Sequence, residues 1–390
     1  MINSKNLIPY GSQKINKTDF TLIKKSLKNS LITTGPFVKL FEKNTSKFLE
    51  SKYSFTCSSG TSALHLAYLS IGLKKNDIII LPAINFVAAS NMASSLGAKI
   101  YFSDVDVETG QTSPEHIKQC IKKNNIKKIK AIVTMYNGGF PRNVIKFYEL
   151  KKKYKCYLIE DACHAFGARY FYKNIKYSIG SCKHSDISTF SFHPLKTITT
   201  GEGGLITTNN KRVANKIIEL RSHGIKKDKL KYWSYDVNSV GFNYRLSDIN
   251  AALGVSQLKN INKILKRRKE IFLKYLNMLD NYMNIISILK PEPRTEPAYH
   301  LVLANINFSK LNVSKNKFIK KLLEKKIISQ FHYIPSYEFS IYKKKFKKLA
   351  GCEKYKVNSL SLPIHLKIDN KKQEFIINTI KSIIKKCKKK

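Results

Sequence analysis

The chain has 390 residues, of which 43% are hydrophobic and 11% aromatic, so it can bury more than one sizeable core and is not a disordered polymer. Its formal net charge of +45 would suit a nucleic acid or an anionic surface, but the excess is almost all Lys, spread over the whole length, and Arg is scarce. Recognition of phosphates and base edges leans on the bidentate Arg fork, so the surplus reads as solvated surface, and neither a nucleic acid nor a membrane is expected as a partner.

Strand and helix patterns alternate from Tyr53 to Thr208, which predicts a mainly parallel sheet with helices on both faces. Tyr53–Cys57 reads as a strand and Gly60–Gly72 as the helix after it. Asp77–Leu81 is the next strand, stopped by Pro82. A helix over Phe86–Leu96 and a short strand over Lys99–Phe102 follow. Lys130–Met135 and Cys156–Ile159 are apolar enough to be buried central strands, with a helix over Val144–Tyr154 between them. Ile187–Phe190 and Gly204–Thr208 complete the sheet. Ser247–Lys274 contains no proline and reads as one long helix whose far end leaves the large domain. After Pro291 the pattern changes. Strands over Val302–Asn305 and Ile327–His332, with helices near Lys315–Lys325 and Lys371–Ile384, predict a small α+β domain. The expected division is residues 1–255 for an N-terminal arm and large α/β domain and 256–390 for the small one.

The seven cysteines are scattered and form no CxxC pair, so no disulfide frame and no metal site are expected, and a reducing, cytoplasmic setting is. No apolar run is long enough to span a bilayer. The start, Met1–Tyr10, shows no apolar signal core, and the basic end, Ile383–Lys390, reads as a frayed helix end.

Four stretches carry residues suited to chemistry. In Ile159-Glu160-Asp161-Ala162-Cys163-His164 an apolar strand ends in an acid at its carboxyl end, where open α/β sheets bind ligands; an acidic helix cap is the alternative. Ser188–Lys196 runs from a strand into a polar loop ending in Lys, and the glycine-rich Thr199–Gly204 follows. Partial burial would lower that lysine's pKa and free its amine to attack a carbonyl; one more surface Lys is the alternative. Cys57–Leu64 joins a strand to a helix through Ser58, Ser59, Gly60 and Thr61, which suits a phosphate as well as it suits ordinary capping. There is no GxxxxGK run, so a nucleotide-hydrolysing P-loop is excluded. Phe86, in Pro82–Ala89, can stack on a flat ring or simply fill the core. In chain order these stretches read as a phosphate cup, a stacking aromatic, an acid, a phosphate serine and a lysine.

With these motifs the sequence resembles the DegT/DnrJ/EryC1/StrS sugar aminotransferases, within the fold-type I pyridoxal-phosphate enzymes, from about Tyr10 to Pro363. The likeness is carried jointly by Ser59–Leu64, Glu160–Gly167, Phe190–Lys196, Thr200–Gly204, Arg221–Gly224 and Gly241–Arg245. It implies an α/β, aspartate-aminotransferase-like fold: a large, mainly parallel mixed-sheet domain plus a small C-terminal α+β domain. It implies pyridoxal 5′-phosphate bound to Lys196 as a Schiff base, with Asp161 paired to the pyridine nitrogen. His164 would lie near the ring's phenolic oxygen and Phe86 would stack on the ring. Gly60, Thr61 and Ser191 match phosphate contacts. Asn243 matches a residue that reaches the neighbouring subunit's cofactor, so a homodimer with composite sites is implied.

Within the family, Ser191–Thr200, Trp233–Asp236, Tyr244–Asp248, Gly254–Leu258 and Gln330–Tyr333 resemble the members that act in pseudaminic-acid biosynthesis. Substrate contacts are thereby implied at Tyr10, at Ser30, Leu31, Ile32 and Thr33, and at Gln330, Phe331, His332 and Tyr333, with Ser59, His193 and Arg245 beside them. The implied reaction moves the amino group of glutamate to the C4 keto group of a UDP-linked 2-acetamido-2,6-dideoxy-hexos-4-ulose. Two departures stand out: Ser30–Gly35 is apolar where relatives carry longer polar side chains, and Cys163 stands where Ala is usual. The alternatives are amination of another nucleotide 4-keto or 3-keto sugar, of the perosamine, bacillosamine or aminoarabinose type, and a non-catalytic binding or regulatory protein on the same fold. A sugar 3-dehydratase typically carries His in place of the Schiff-base lysine, so Lys196 argues against it.

Overall fold

A computed structural model describes residues 7–389 except 229, 232 and 344; residues 1–6 of the N-terminal stretch and Lys390 of the basic end lie outside the described residues. The frame is a seven-stranded sheet. Its order across is Tyr53–Cys57, Gly204–Thr208, Ile187–Ser191, Tyr157–Asp161, Ala131–Met135, Ile78–Pro82 and Lys99–Ser103. Gly204–Thr208 runs antiparallel to both neighbours, and the other pairings are parallel. The sheet is therefore mixed but mainly parallel, as the alternating pattern predicts.

Side chains along these strands alternate between two cores. Ile79, Val133 and Ile159 pack with Leu66 and Tyr68 of the Gly60–Ser70 helix on one face. Ile80, Ile132 and Leu158 pack with Ile117 and Phe147 on the other, under the helices Pro114–Lys123 and Val144–Tyr154. Burial on both faces is why the central strands read as unbroken apolar runs. The direction of the strands puts Cys57, Pro82, Met135, Asp161 and Ser191 at one edge of the sheet, together with Gly204, which starts the antiparallel strand.

A second core gathers around a three-stranded antiparallel sheet of Ile286–Ile288, Val302–Ile306 and Ser359–Leu362. The helices Lys315–Glu324 and Asn370–Cys387 contribute Phe318, Ile376 and Ile380 to it.

Two expectations are corrected. The single helix expected over Ser247–Lys274 is two, Asp248–Lys259 and Ile261–Leu279. They part at Asn260, at φ −99° and ψ 4°, where the Asn amide donates to the Ser256 carbonyl at 3.2 Å and competes with the backbone ladder. The second helix begins in the first unit's core at Ile261 and Ile264 and ends in the second core at Phe272 and Tyr275. The strand expected over Ile327–His332 is reduced to isolated bridges, because the segment changes partners: Ile327 pairs with Ile8 and Gln330 with Ser361. The helices Lys17–Ser26 and Pro36–Leu49, not anticipated above, precede the sheet.

Candidate active site

One cavity of about 400 Å³ opens at the carboxyl edge of the parallel strands. Asp161, the last residue of its strand, forms part of its wall and is 3% exposed. Its carboxylate accepts from Asn85 Nδ2 at 3.1 Å and from the Cys163 N–H at 3.3 Å. Asn85 follows the Ile78–Pro82 strand, and its own Oδ1 accepts from the Phe86 N–H at 2.7 Å, which fixes which end of the amide faces Asp161.

Lys196 enters the same cavity from the loop after Ile187–Ser191. Its backbone N–H donates to the His193 carbonyl at 2.9 Å, a turn that brings the half-buried side chain back to the cavity. Burial pushes its amine below the usual lysine range, with the nearby Asp161 charge acting the other way.

A third wall is the start of the Gly60–Ser70 helix. Ser59 caps it: its Oγ accepts from the Ser62 N–H at 3.1 Å, and the Ser59 N–H donates to Ser62 Oγ at 2.8 Å. The Gly60 and Thr61 N–H groups are first-turn donors with no intrahelical acceptor. A Cβ on Gly60 would lie 2.8 Å from Ser191 Cβ, so only Gly lets the helix start and the Ser191 hydroxyl approach so closely. Small residues, N–H donors and the positive dipole end together suit an anion.

Three histidines form the remaining side. His164 Nδ1 accepts from the Gly138 N–H at 3.3 Å, which leaves the ring proton on Nε2, 2.8 Å from Tyr333 Oη. His164 thus donates to Tyr333, whose own O–H remains available. The ring of His300 lies 4.3 Å and that of His332 6.1 Å from the ring of His164. Burial first, and the Lys196 charge second, push His164 and His300 well below the usual histidine range and His332 down to about 3. All are neutral imidazoles at physiological pH. Phe86, 55% exposed, stands at the mouth, 6.0 Å from the Tyr333 ring. Tyr10 arrives on the N-terminal arm, which is tied down by Ile328 N–H to Ile8 O and Ile364 N–H to Tyr10 O, each 2.9 Å.

The cavity brings together Ser59, Gly60, Thr61, Phe86, Asp161 and His164. It also gathers Ser191, His193, Lys196, Tyr10, His332 and Tyr333. Ser30, Leu31, Ile32, Thr33, Asn243, Arg245, Gln330 and Phe331 do not border it. Ser30–Thr33 are exposed, on a loop held by the Asp248 N–H to Ile32 O at 2.9 Å. Phe331 instead packs under Lys315, whose Nζ lies 3.7 Å from its ring centre. Asn243 is exposed beside Tyr244, whose carbonyl accepts from the Ser58 N–H at 2.9 Å.

Sequence reasoning missed Asn85 and His300. Asn85 was open to the rule that found Asp161, since it follows the carboxyl end of a parallel strand. His300 had no local signal, because it is delivered by a turn before the Val302–Ile306 strand of the other sheet. Among the described residues, no group of three His, Cys, Asp or Glu could hold a metal ion, and no helix is long and apolar enough to cross a membrane.

The sequence pattern of the DegT/DnrJ/EryC1/StrS aminotransferase family matches residues 13–381. The chain belongs to that family. This aminotransferase is 36% identical over 387 residues to the UDP-4-amino-4,6-dideoxy-N-acetyl-beta-L-altrosamine transaminase of Campylobacter jejuni, covering 98% of this chain and 99% of that one. It is 30% identical to the GDP-perosamine synthase of Escherichia coli O157:H7, over 89% of this chain and 90% of that one. Among solved structures, Helicobacter pylori PseC, an aminotransferase involved in the biosynthesis of pseudoaminic acid, matches with a TM-score of 0.90 at 27% identity, covering 98% of this chain and 100% of that one. The aminotransferase thus has the fold-type I architecture that its sequence motifs imply.

Proposed function

We propose that this aminotransferase holds pyridoxal 5′-phosphate in the cavity and moves the amino group of glutamate to the C4 keto group of a UDP-linked 2-acetamido-2,6-dideoxy-hexos-4-ulose. The observation that carries the chemistry is the convergence of the Lys196 amine, the Asp161 carboxylate and the helix start at Gly60 on one cavity. The residues fit that cofactor. The close Gly60–Ser191 approach forms a cradle for a phosphate that a Cβ would fill, Phe86 offers a flat face, and Asp161 is a buried acid held by hydrogen bonds to both of its oxygens. When bound, the cofactor supplies an aldehyde for amines and an electron sink for charge at the reacting carbon.

The chain's own residues would do the rest. Lys196, its amine held below the usual lysine range by burial, would serve as nucleophile and as proton carrier at the reacting carbon. Asp161, kept in place by Asn85, would pair with the pyridine nitrogen and favour its protonated form. Gly60, Thr61 and Ser191 bind the phosphate. Tyr333, which accepts a hydrogen bond from His164, has its own O–H to offer an oxygen in the cavity. Glutamate and the keto sugar use the same site in turn, so ping-pong kinetics are expected.

The near-full-length 36% identity to the Campylobacter enzyme supports the UDP-linked acceptor. A second reading, another nucleotide 4-keto sugar, draws on the 30% identity to the GDP-perosamine synthase. A homodimer with composite sites is supported by the exposure of Asn243 beside the phosphate turn and of Leu31 and Ile32, at 57% and 45%. The cysteines are all unpaired, which fits a reducing cytoplasm. The test offers purified protein, pyridoxal phosphate and glutamate a panel of UDP- and GDP-linked keto sugars and weighs the products by mass spectrometry. The UDP-linked 4-keto sugar is expected to gain an amine. Amination confined to GDP-linked sugars, or to a 3-keto sugar, overturns this reading.

A further inference from the structure

His300 borders the cavity yet is 6% exposed, and its Nδ1 has no hydrogen-bond partner among the described residues. That nitrogen is enclosed, so a molecule in the cavity would meet the ring at Nε2, which no described residue hydrogen-bonds. The rest of the residue is pinned. Its N–H donates to the Gly138 carbonyl at 2.9 Å, and the Ala298 N–H donates to Gly139 O at 2.9 Å. Gly139, at φ +85°, passes so close to the His164 carbonyl that a Cβ there would lie 2.5 Å from it.

Behind the turn sits Arg268, 2% exposed on the Ile261–Leu279 helix. Its Nη1 donates to the carbonyls of both Tyr299 and His300 at 3.2 Å, and among the described residues no carboxylate pairs with it. Burial pushes its guanidinium down to about 10. With its Nε left without a partner among the described residues, this buried cation is a costly way to brace a turn, and both carbonyls belong to the residues that present His300.

We infer that His300 is a substrate-contacting residue that hydrogen-bonds an uncharged oxygen, hydroxyl or keto, of the acceptor sugar, and that Arg268 is the positioning residue that holds it there. The inference rests on the functional reading above and adds the acceptor's contact to it. The groups facing His300 are His164, His332 and His193, Lys196 in the cavity wall and Arg268 behind; the cations among them, together with burial, disfavour a charge on the ring. A neutral imidazole offers one donor and one acceptor. That suits a hydroxyl or carbonyl oxygen and gives a phosphate or carboxylate no charge to meet. The hydroxyl and keto oxygens of the acceptor sugar are the neutral groups that match this pair, whereas the amino donor's carboxylates are met better by a cation.

The two half-reactions separate the possibilities. In His300→Phe, the acceptor KM is expected to rise about 10- to 100-fold, the loss of one buried hydrogen bond, while the rate with glutamate alone stays within about threefold. His300→Gln, which keeps a donor and an acceptor, should recover most of the acceptor affinity, and Arg268→Met should raise the acceptor KM as His300→Phe does. Calorimetric binding of the UDP-linked 4-hydroxy sugar, which cannot react, should weaken in parallel in His300→Phe and be insensitive to pH between 6 and 8. An equal loss in both half-reactions, or unchanged acceptor KM and binding, overturns the inference. If His300→Phe does not fold, His300→Leu, which also lacks a donor and an acceptor, takes its place: a raised acceptor KM with the glutamate half-reaction kept supports the inference, and equal impairment of both half-reactions overturns it. A wild-type protein that aminates no keto sugar overturns the functional reading and this inference together. A working wild type matched by His300→Phe overturns this inference alone.

Discussion

The inner end of the cavity and its mouth are built in opposite ways. Inside, Asp161 is held by Asn85 and Cys163, His164 by Gly138 and Tyr333, and His332 by Ser361. At the mouth, Phe86 stands 55% exposed, and outside the cavity Leu31, Ile32 and Asn243 lie open on loops that do not border it. A single chain thus prearranges the groups suited to group transfer, where small displacements are costly. It leaves the acceptor side to be completed, on the reading proposed here, by the sugar nucleotide and by a second copy.

That contrast can be broken experimentally. Lys196→Ala, at the inner end, should reduce turnover by at least about 10⁴-fold and abolish the absorbance band of the lysine-linked cofactor. Asp161→Asn should still bind cofactor but react about 10³-fold more slowly, measured in stopped-flow single turnovers with glutamate. Outside the cavity, Asn243→Ala should weaken cofactor binding about tenfold with little change in kcat at saturating cofactor. If Asn243 serves a partner's site, mixing Lys196→Ala and Asn243→Ala chains should change the activity from the sum of the two alone, whereas strict additivity would place Asn243 in its own chain's site or outside any. The smallest effect concerns pH. His332 and His365 are held down to about 3 and about 4 by burial, so the unfolded chain takes up their protons first as pH falls below about 6.5. Stability they contribute is present above that pH and lost toward pH 4. The urea midpoint should therefore drop between pH 7 and pH 5, and the drop should be smaller in His365→Gln.

The inner end was also the legible one. Asp161, Lys196, Gly60 and Ser191 sit within short motifs at the ends of apolar strands, and strand direction alone brings them to one edge. The central strands could be read because burial on both faces leaves an unbroken apolar run. His300 and Arg268 could not be read this way. Each comes from the second half of the chain, and their roles arise where a turn of one unit meets the Gly138–Gly139 turn of the other. The helix break at Asn260 escaped notice because no proline or glycine marks it; a side-chain amide bonded to Ser256 does the work instead. The strand expected at Ile327–His332 has the apolar content of a strand but exchanges its pairing partner midway, which local patterning does not encode.

The most direct test asks which lysine, in a chain so rich in lysine, carries the cofactor. Protein loaded with pyridoxal phosphate would be reduced with borohydride, digested and sequenced by tandem mass spectrometry. A pyridoxyl group on Lys196 is the expected result; one on another lysine, or none at all, would contradict the account.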